Sequence, residues 1–124
     1  MVESSAVTKG MERQLEARAA LLAAGAKPLG WKVGFGAPAA LEMLGIDGPL
    51  VGFLVDGGLI GDGETVSLAG WTKPVAEPEI AIYMGSDLVG GAGVDAAAAA
   101  IAGLGPAIEL ADMDVPPKDT ETIL

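Results

Sequence analysis

Two glutamates separated by a single residue are the side chains of this sequence best suited to chemistry. Glu77 and Glu79 stand at the start of an apolar run of strand-forming residues. In an extended chain the side chains of residues i and i+2 leave the same face, so the two carboxylates are expected side by side. Like charges held this close repel each other and lose solvation unless a cation lies between them. The alternative is a pair of solvated acids at the start of an edge strand, where Pro78 is also tolerated.

A third acid on the next apolar run favours the metal interpretation. Glu109 lies between Ile108 and Leu110, and an acid so placed needs a partner if its strand is buried. Three carboxylates fill half of the octahedral shell of Mg²⁺ or Mn²⁺, which are hard cations that prefer oxygen ligands. The other positions suit a water and a substrate with two oxygens, such as a 2-oxo acid. The cation would act as a Lewis acid that stabilises a developing enolate.

Composition limits the other kinds of chemistry. The chain has 124 residues, about one domain, and 51% of them are hydrophobic. It contains no cysteine and no histidine, so the chemistry must come from carboxylates, lysines, hydroxyls or the backbone. A net charge of −10 argues against binding to nucleic acid or to anionic membranes. The N-terminus has no signal-peptide pattern and the longest weakly polar stretch is too short to span a membrane, so we expect a cytoplasmic protein.

Hydrophobic periodicity and turn residues predict short elements around these acids. Helices are predicted over about 10–24 and 38–44, and an Ala-rich helix from Asp95 to about Leu104. Strands are predicted over 31–35, 50–55, 65–68, 80–84 and 107–111. Asp119 is predicted to cap a further element of which only the first turn is present at Leu124.

A dinucleotide-binding motif is the competing enzyme interpretation. Residues 34–39, Gly-Phe-Gly-Ala-Pro-Ala, fit the pattern G-x-G-x-x-G/A. The helix that follows is interrupted at Gly45 and Pro49, too early for a crossover between parallel strands. Pro38 also removes an amide from the turn that would face the pyrophosphate. No dinucleotide cofactor is therefore expected.

Six segments carry a resemblance to a known family. They are Gly30-Trp31-Lys32-Val33-Gly34-Phe35, Leu44-Gly45-Ile46-Asp47-Gly48-Pro49, Gly52-Phe53-Leu54, Glu77-Pro78-Glu79-Ile80-Ala81, Gly85-Ser86-Asp87-Leu88 and Pro106-Ala107-Ile108-Glu109-Leu110. On these segments the chain resembles the fumarylacetoacetate hydrolase superfamily, in the branch of the 2-oxopent-4-enoate (2-hydroxypentadienoate) hydratases and 4-oxalocrotonate decarboxylases. The segments follow the family's order with similar gaps, and they cover nearly the whole chain from about residue 10.

The resemblance implies an α+β fold in which a mixed β-sheet forms a roll with flanking helices. Family members are roughly twice as long, so we expect an N-terminal portion of the fold, incomplete in this chain. Residues 1–124 would form a single partial domain. Its helix-rich N-terminal portion would cover about 10–49, and the start of the catalytic β-roll about 50–124.

The resemblance also implies the site. Glu77, Glu79 and Glu109 would be the ligands of Mg²⁺ or Mn²⁺. Lys32 would point into the active site, where an ammonium can offset negative charge and donate a proton. Asp56 would lie nearby as an acid–base group. Without the resemblance, a lysine on a short strand more often extends to solvent, and an aspartate before two glycines is ordinary turn chemistry.

Two departures from the family pattern stand near these residues. Gly36 occupies a position where family members usually carry a hydroxyl residue. Asp112-Met113-Asp114 stands where Asp-Ser-Arg is frequent, so a positive charge expected near the site is missing.

The function implied by the resemblance is that of a divalent-metal-dependent hydratase, a lyase of aromatic-compound catabolism. Its substrate would be a short unsaturated 2-oxo or 2-hydroxy acid such as 2-hydroxypenta-2,4-dienoate, reacting through a metal-bound dienolate. The alternatives are a decarboxylase of 2-oxohexenedioate, a C–C hydrolase of the acylpyruvate type, and an inactive fragment or structural subunit of the same fold. The metal site is common to the three chemistries and does not distinguish them. A homo-oligomer is expected, with a pathway aldolase or dehydrogenase as a possible partner.

Overall fold

The computed structural model of the chain describes residues 5–114. These residues form two compact units, the first covering residues 5–67 and the second residues 68–114. The element predicted from Asp119 to Leu124 lies outside the described residues.

The first unit combines two helices with an antiparallel pair of strands. Its elements are α1 (Ser5–Ala23), β1 (Pro28–Gly34), α2 (Pro38–Leu44), β2 (Leu50–Val55) and a one-turn 3₁₀ helix (Asp56–Gly58). Pro38 starts α2, and Gly45 ends it with a φ of 66°, a left-handed conformation that glycine adopts without strain. β1 and β2 pair so that Lys32 stands opposite Gly52. The unit therefore presents Lys32 in the middle of a sheet strand.

α1 packs on β2 through a buried polar side chain. Gln14 donates a hydrogen bond from Nε2 to the Val51 carbonyl at 3.0 Å. Its Oε1 accepts a bond from the Phe53 main-chain N–H at 2.9 Å. The two bonded groups are two residues apart, so they lie on one edge of β2. The side-chain amide thus supplies the donor and the acceptor that a further strand would supply at that edge.

The second unit is a pair of long antiparallel strands with a short helix in their connection. Its elements are β3 (Pro74–Met84), α3 (Val94–Ala100) and β4 (Ile101–Asp112). The pairing runs from Pro74 opposite Asp112 to Met84 opposite Ile101. The two glutamates of the opening motif lie inside β3 rather than before it, because the strand begins six residues earlier than the predicted Ile80.

The α+β class is confirmed. Within residues 5–114 both sheets are two-stranded and antiparallel, so a mixed roll would need strands beyond these four. The predicted strand over 65–68 is wrong, because these residues form no ladder. The predicted Ala-rich helix ends at Ala100, not at Leu104, because Ile101 and the residues after it pair with β3.

The single partial domain over residues 1–124 stays a prediction. The division expected at about residue 49 does not coincide with the boundary between the units, since β2 pairs with β1 and residues 50–67 belong to the first unit. None of the helices within residues 5–114 combines the length and the apolar character that crossing a bilayer requires.

Candidate metal centre

The register of the β3–β4 hairpin brings three glutamates together. Glu77 stands directly opposite Glu109, and Glu79 opposite Ala107. Residues directly opposite in an antiparallel pair share a face, and so do residues i and i+2 of one strand. All three carboxylates therefore project from one face of the hairpin. The small side chain of Ala107 leaves room on that face beside Glu109.

The carboxylates form a compact cluster. One oxygen from each of the three lies within 4.8 Å of the others; Glu77 and Glu79 are exposed, and Glu109 is half-buried. In an octahedral Mg²⁺ shell with bonds of about 2.1 Å, neighbouring ligand oxygens are about 3 Å apart and opposite ones about 4.2 Å. Small rotations of flexible glutamate side chains cover the difference. The donor set thus fits a hard divalent cation, and the ligand roles of Glu77, Glu79 and Glu109 stay a prediction.

Asp112, which is not among the predicted site residues, joins the two strands at one end of this hairpin. The Asp112 carboxylate accepts main-chain N–H bonds from Thr72 at 2.8 Å and from Lys73 at 2.6 Å. The Met113 N–H donates in return to the Lys73 carbonyl at 2.9 Å. These bonds join the start of β3 to the end of β4, three residues beyond Glu109. A shift of one residue in this pairing would move Glu109 to the opposite face from Glu77.

Asp112 carried a weak signal in the sequence. It is an acid directly after the predicted strand over 107–111, and it belongs to the segment that departs from the family pattern. Its bonding partners are 39 and 40 residues away in the chain, so no local pattern could name them. Such a connection between two strand ends can be recognised only in the three-dimensional structure.

The other two predicted site residues lie in the first unit. Lys32 is half-buried on β1, opposite Gly52. Asp56 is exposed at the first residue of the 3₁₀ helix, and its Oδ1 accepts the Lys27 main-chain N–H at 2.9 Å. The Asp56 N–H donates to the Lys27 carbonyl at 3.0 Å, which closes the end of the β1–β2 pair. Asp56 therefore has a structural task, and the catalytic roles of Lys32 and Asp56 stay predictions.

Fold and donor set together define a class: an α+β chain whose longer hairpin carries a three-carboxylate site suited to a hard divalent cation. The chain is similar to 2-keto-4-pentenoate hydratase of Burkholderia vietnamiensis (strain G4 / LMG 22486), with 39% identity over 64 residues, 52% of this chain. It is also similar to 4-oxalocrotonate decarboxylase of a Pseudomonas species, with 32% identity over 88 residues, 71% of this chain. No family model matches the chain.

A solved structure of such a decarboxylase shares the fold of this chain. The structure of 4-oxalocrotonate decarboxylase from Pseudomonas putida G7, complexed with magnesium and adipate, superposes with a TM-score of 0.83 and 27% identity over 93% of this chain. The same decarboxylase complexed with calcium and acetate matches equally well, with a TM-score of 0.83. The resemblance to the hydratase and decarboxylase branch of the fumarylacetoacetate hydrolase superfamily is confirmed.

The matches cover only part of each relative. They span 24% of the Burkholderia hydratase and 34% of the Pseudomonas decarboxylase. They span 46% of the solved decarboxylase chain. The chain thus matches less than half the length of these relatives.

Proposed function

We propose that this chain carries the metal-binding part of a divalent-metal-dependent hydratase acting on a short unsaturated 2-oxo or 2-hydroxy acid. The observation that carries the proposal is the convergence of three glutamate oxygens within 4.8 Å on one face of the hairpin. It is supported by similarity to 2-keto-4-pentenoate hydratases and by the fold shared with a magnesium-complexed decarboxylase.

In this proposal Glu77, Glu79 and Glu109 hold Mg²⁺ or Mn²⁺. The cation supplies Lewis-acid stabilisation of the negative charge that develops on a 2-oxo acid. Lys32 provides a positive charge and a proton donor for the substrate. Asp56 is proposed as an acid–base group. Its carboxylate already accepts the Lys27 N–H, so it serves the reaction only through its remaining acceptor positions.

Decarboxylation is the second candidate, and a specific observation favours it. The match to the Pseudomonas 4-oxalocrotonate decarboxylase extends over 88 residues, longer than the 64 and 69 residues matched in the hydratases. The two solved structures described above are also of a decarboxylase. Both reactions use the same electron sink, and they differ in what happens at the far end of the substrate.

We also propose the setting in which this activity operates: a homo-oligomeric enzyme of the cytoplasm that works beside an aldolase or a dehydrogenase of the same pathway. Size-exclusion chromatography with light scattering tests the oligomer, because a monomeric mass at working concentration contradicts it.

Turnover assays distinguish the candidates. Full-length protein is incubated with 2-hydroxypenta-2,4-dienoate, with 2-oxohex-3-enedioate and with an acylpyruvate, each with and without Mg²⁺. Magnesium-dependent addition of water to the dienoate supports the hydratase, release of carbon dioxide from the hexenedioate supports the decarboxylase, and cleavage of the acylpyruvate supports the C–C hydrolase. Magnesium binding with no turnover of any of the three contradicts the enzyme proposal and leaves a structural subunit of the fold.

A further inference from the structure

Glycine occupies the three positions nearest to Lys32 on its face of the sheet. On β1 the residues at i−2 and i+2 are Gly30 and Gly34, and the residue opposite on β2 is Gly52. A lysine stem with bulky neighbours would be held upright between them. With glycines on three sides, the half-buried stem of Lys32 has room to lie across the sheet.

The three glycines are not equivalent. A Cβ atom added at Gly52 would stand 3.1 Å from Cγ and 3.5 Å from Cδ of Lys32. A Cβ atom added at Gly30 or Gly34 would meet no other atom within 4 Å. The stem of Lys32 therefore occupies the space that a side chain at position 52 would need.

The backbone of β2 beside the stem is anchored along its outer edge, the edge away from β1. Gly52 lies between Val51 and Phe53, whose main-chain groups bond to the side chain of Gln14. Gln14 is only 6% exposed, so water does not readily replace these bonds. Its Oε1 would also lie 4.0 Å from a Cβ atom at Gly52. β2 can therefore not move away easily to accommodate a methyl group, and the flexible lysine would have to move instead.

We propose that Gly52 is a positioning residue for Lys32: by having no side chain, it lets the lysine stem cross β2 and determines where the ammonium is presented. The inference rests on the proposed function for its catalytic consequence. The contact between Gly52 and Lys32 stands independently of that function. A sequence motif containing Gly-Phe-Leu on β2 thus acquires a physical reason for its glycine.

The test compares Gly52→Ala with Gly34→Ala, which adds the same methyl group on the same face in open space. The lysines of each protein are dimethylated with ¹³C-formaldehyde, and the Lys32 signal is assigned by its loss in Lys32→Ala. The expected result is a shifted Lys32 signal in Gly52→Ala and an unshifted one in Gly34→Ala. If the Lys32 signal has the same chemical shift in the two variants, the inference is overturned, regardless of how fast either variant turns over substrate.

A double variant removes the ambiguity of a folding defect. Lys32→Ala deletes the Cγ and Cδ atoms that the new Cβ would meet, so Gly52→Ala should give a lower melting temperature relative to its parent in the wild-type chain than in Lys32→Ala. An equal change of melting temperature in both backgrounds overturns the contact.

Kinetics on the preferred substrate with Mg²⁺ connect the contact to the reaction. Gly52→Ala should lower kcat several-fold with little change in KM, because the lysine is misplaced while the metal ligands are untouched. A shifted Lys32 signal with wild-type kcat overturns the positioning role. Absence of Mg²⁺ binding and of turnover in the wild-type chain overturns the proposed function instead, and the NMR comparison still decides the contact.

Discussion

Replacing Glu79 by glutamine should change the stability of the metal-free chain and its affinity for Mg²⁺ in opposite directions. The substitution keeps the shape and the size of the side chain, removes its negative charge and replaces one acceptor oxygen by an NH₂ donor. In the metal-free chain that charge is repelled by Glu77 and Glu109, since one oxygen from each lies within 4.8 Å. In the proposed metal-bound chain the same charge would be one of three that attract the cation.

The size of the first effect follows from Coulomb's law. At 4.8 Å two unit charges repel by about 0.9 kcal/mol in water, and by about half of that at physiological ionic strength. Glu79 takes part in two such pairs. Its neutralisation should therefore raise the free energy of unfolding of the metal-free chain by about 1 kcal/mol. Because Glu77 and Glu79 are exposed, the gain should shrink further at high salt.

The size of the second effect is set by the lost ligand charge. Removal of one of three carboxylates should weaken Mg²⁺ binding at least about tenfold, equivalent to about 1.4 kcal/mol. Mg²⁺ at ten times its dissociation constant stabilises the wild-type chain by about 1.4 kcal/mol, and the same concentration should give the variant at most about 0.4 kcal/mol.

Urea unfolding in EDTA measures the first effect, and isothermal titration with MgCl₂ at constant ionic strength measures the second. Glu42→Gln, the same chemical change on an exposed position of α2 outside the cluster, is the control and should alter neither quantity. A Glu79→Gln chain that is less stable in EDTA than the wild type, or that binds Mg²⁺ with wild-type affinity, would refute the reasoning.

Three further changes test the elements that position the site. Asp112→Ala removes both acceptor oxygens for the N–H groups at the start of β3, so the free energy of unfolding measured in urea should fall by about 1–2 kcal/mol. Mg²⁺ binding should weaken as well, and Asp112→Asn should be intermediate in both. Unchanged Mg²⁺ affinity would contradict a role of Asp112 in positioning the glutamates. Gln14→Ala leaves the Phe53 N–H without its hydrogen-bond partner and should lower the free energy of unfolding by about 1–3 kcal/mol. Amide hydrogen exchange at Phe53 should become faster. Unaltered exchange there would argue against the anchoring of β2 by Gln14. Gly45→Ala forces a left-handed conformation on a residue with a Cβ and should lower the free energy of unfolding by about 1 kcal/mol. Gly48→Ala, whose Cβ would meet no atom within 4 Å, is the control and should lower it less. Equal unfolding midpoints of the two variants would disprove the strain.

Local patterns predicted the elements that depend on local interactions. The helix over 38–44 matches α2, because proline at its start and glycine after its end act within one turn. The strand over 50–55 matches β2, and the strand over 107–111 lies within β4. The Ala-rich helix is wrong at its C-terminal end, where pairing overrides propensity. The alanine-rich run predicts a helix to Leu104, but hydrogen bonding to β3 makes the chain extended from Ile101 onward.

The sequence by itself determined that Glu77 and Glu79 share a face, because alternation along a strand is a property of the backbone alone. It also determined, through ordered motifs, the resemblance that the comparisons confirm. Only the tertiary structure decided that Glu109 completes the cluster, since that depends on the register of β3 and β4, whose ends Asp112 joins across about 40 residues. The same holds for Gly52 beneath Lys32. Contacts between distant strands depend on how the chain pairs, and no local pattern encodes the pairing.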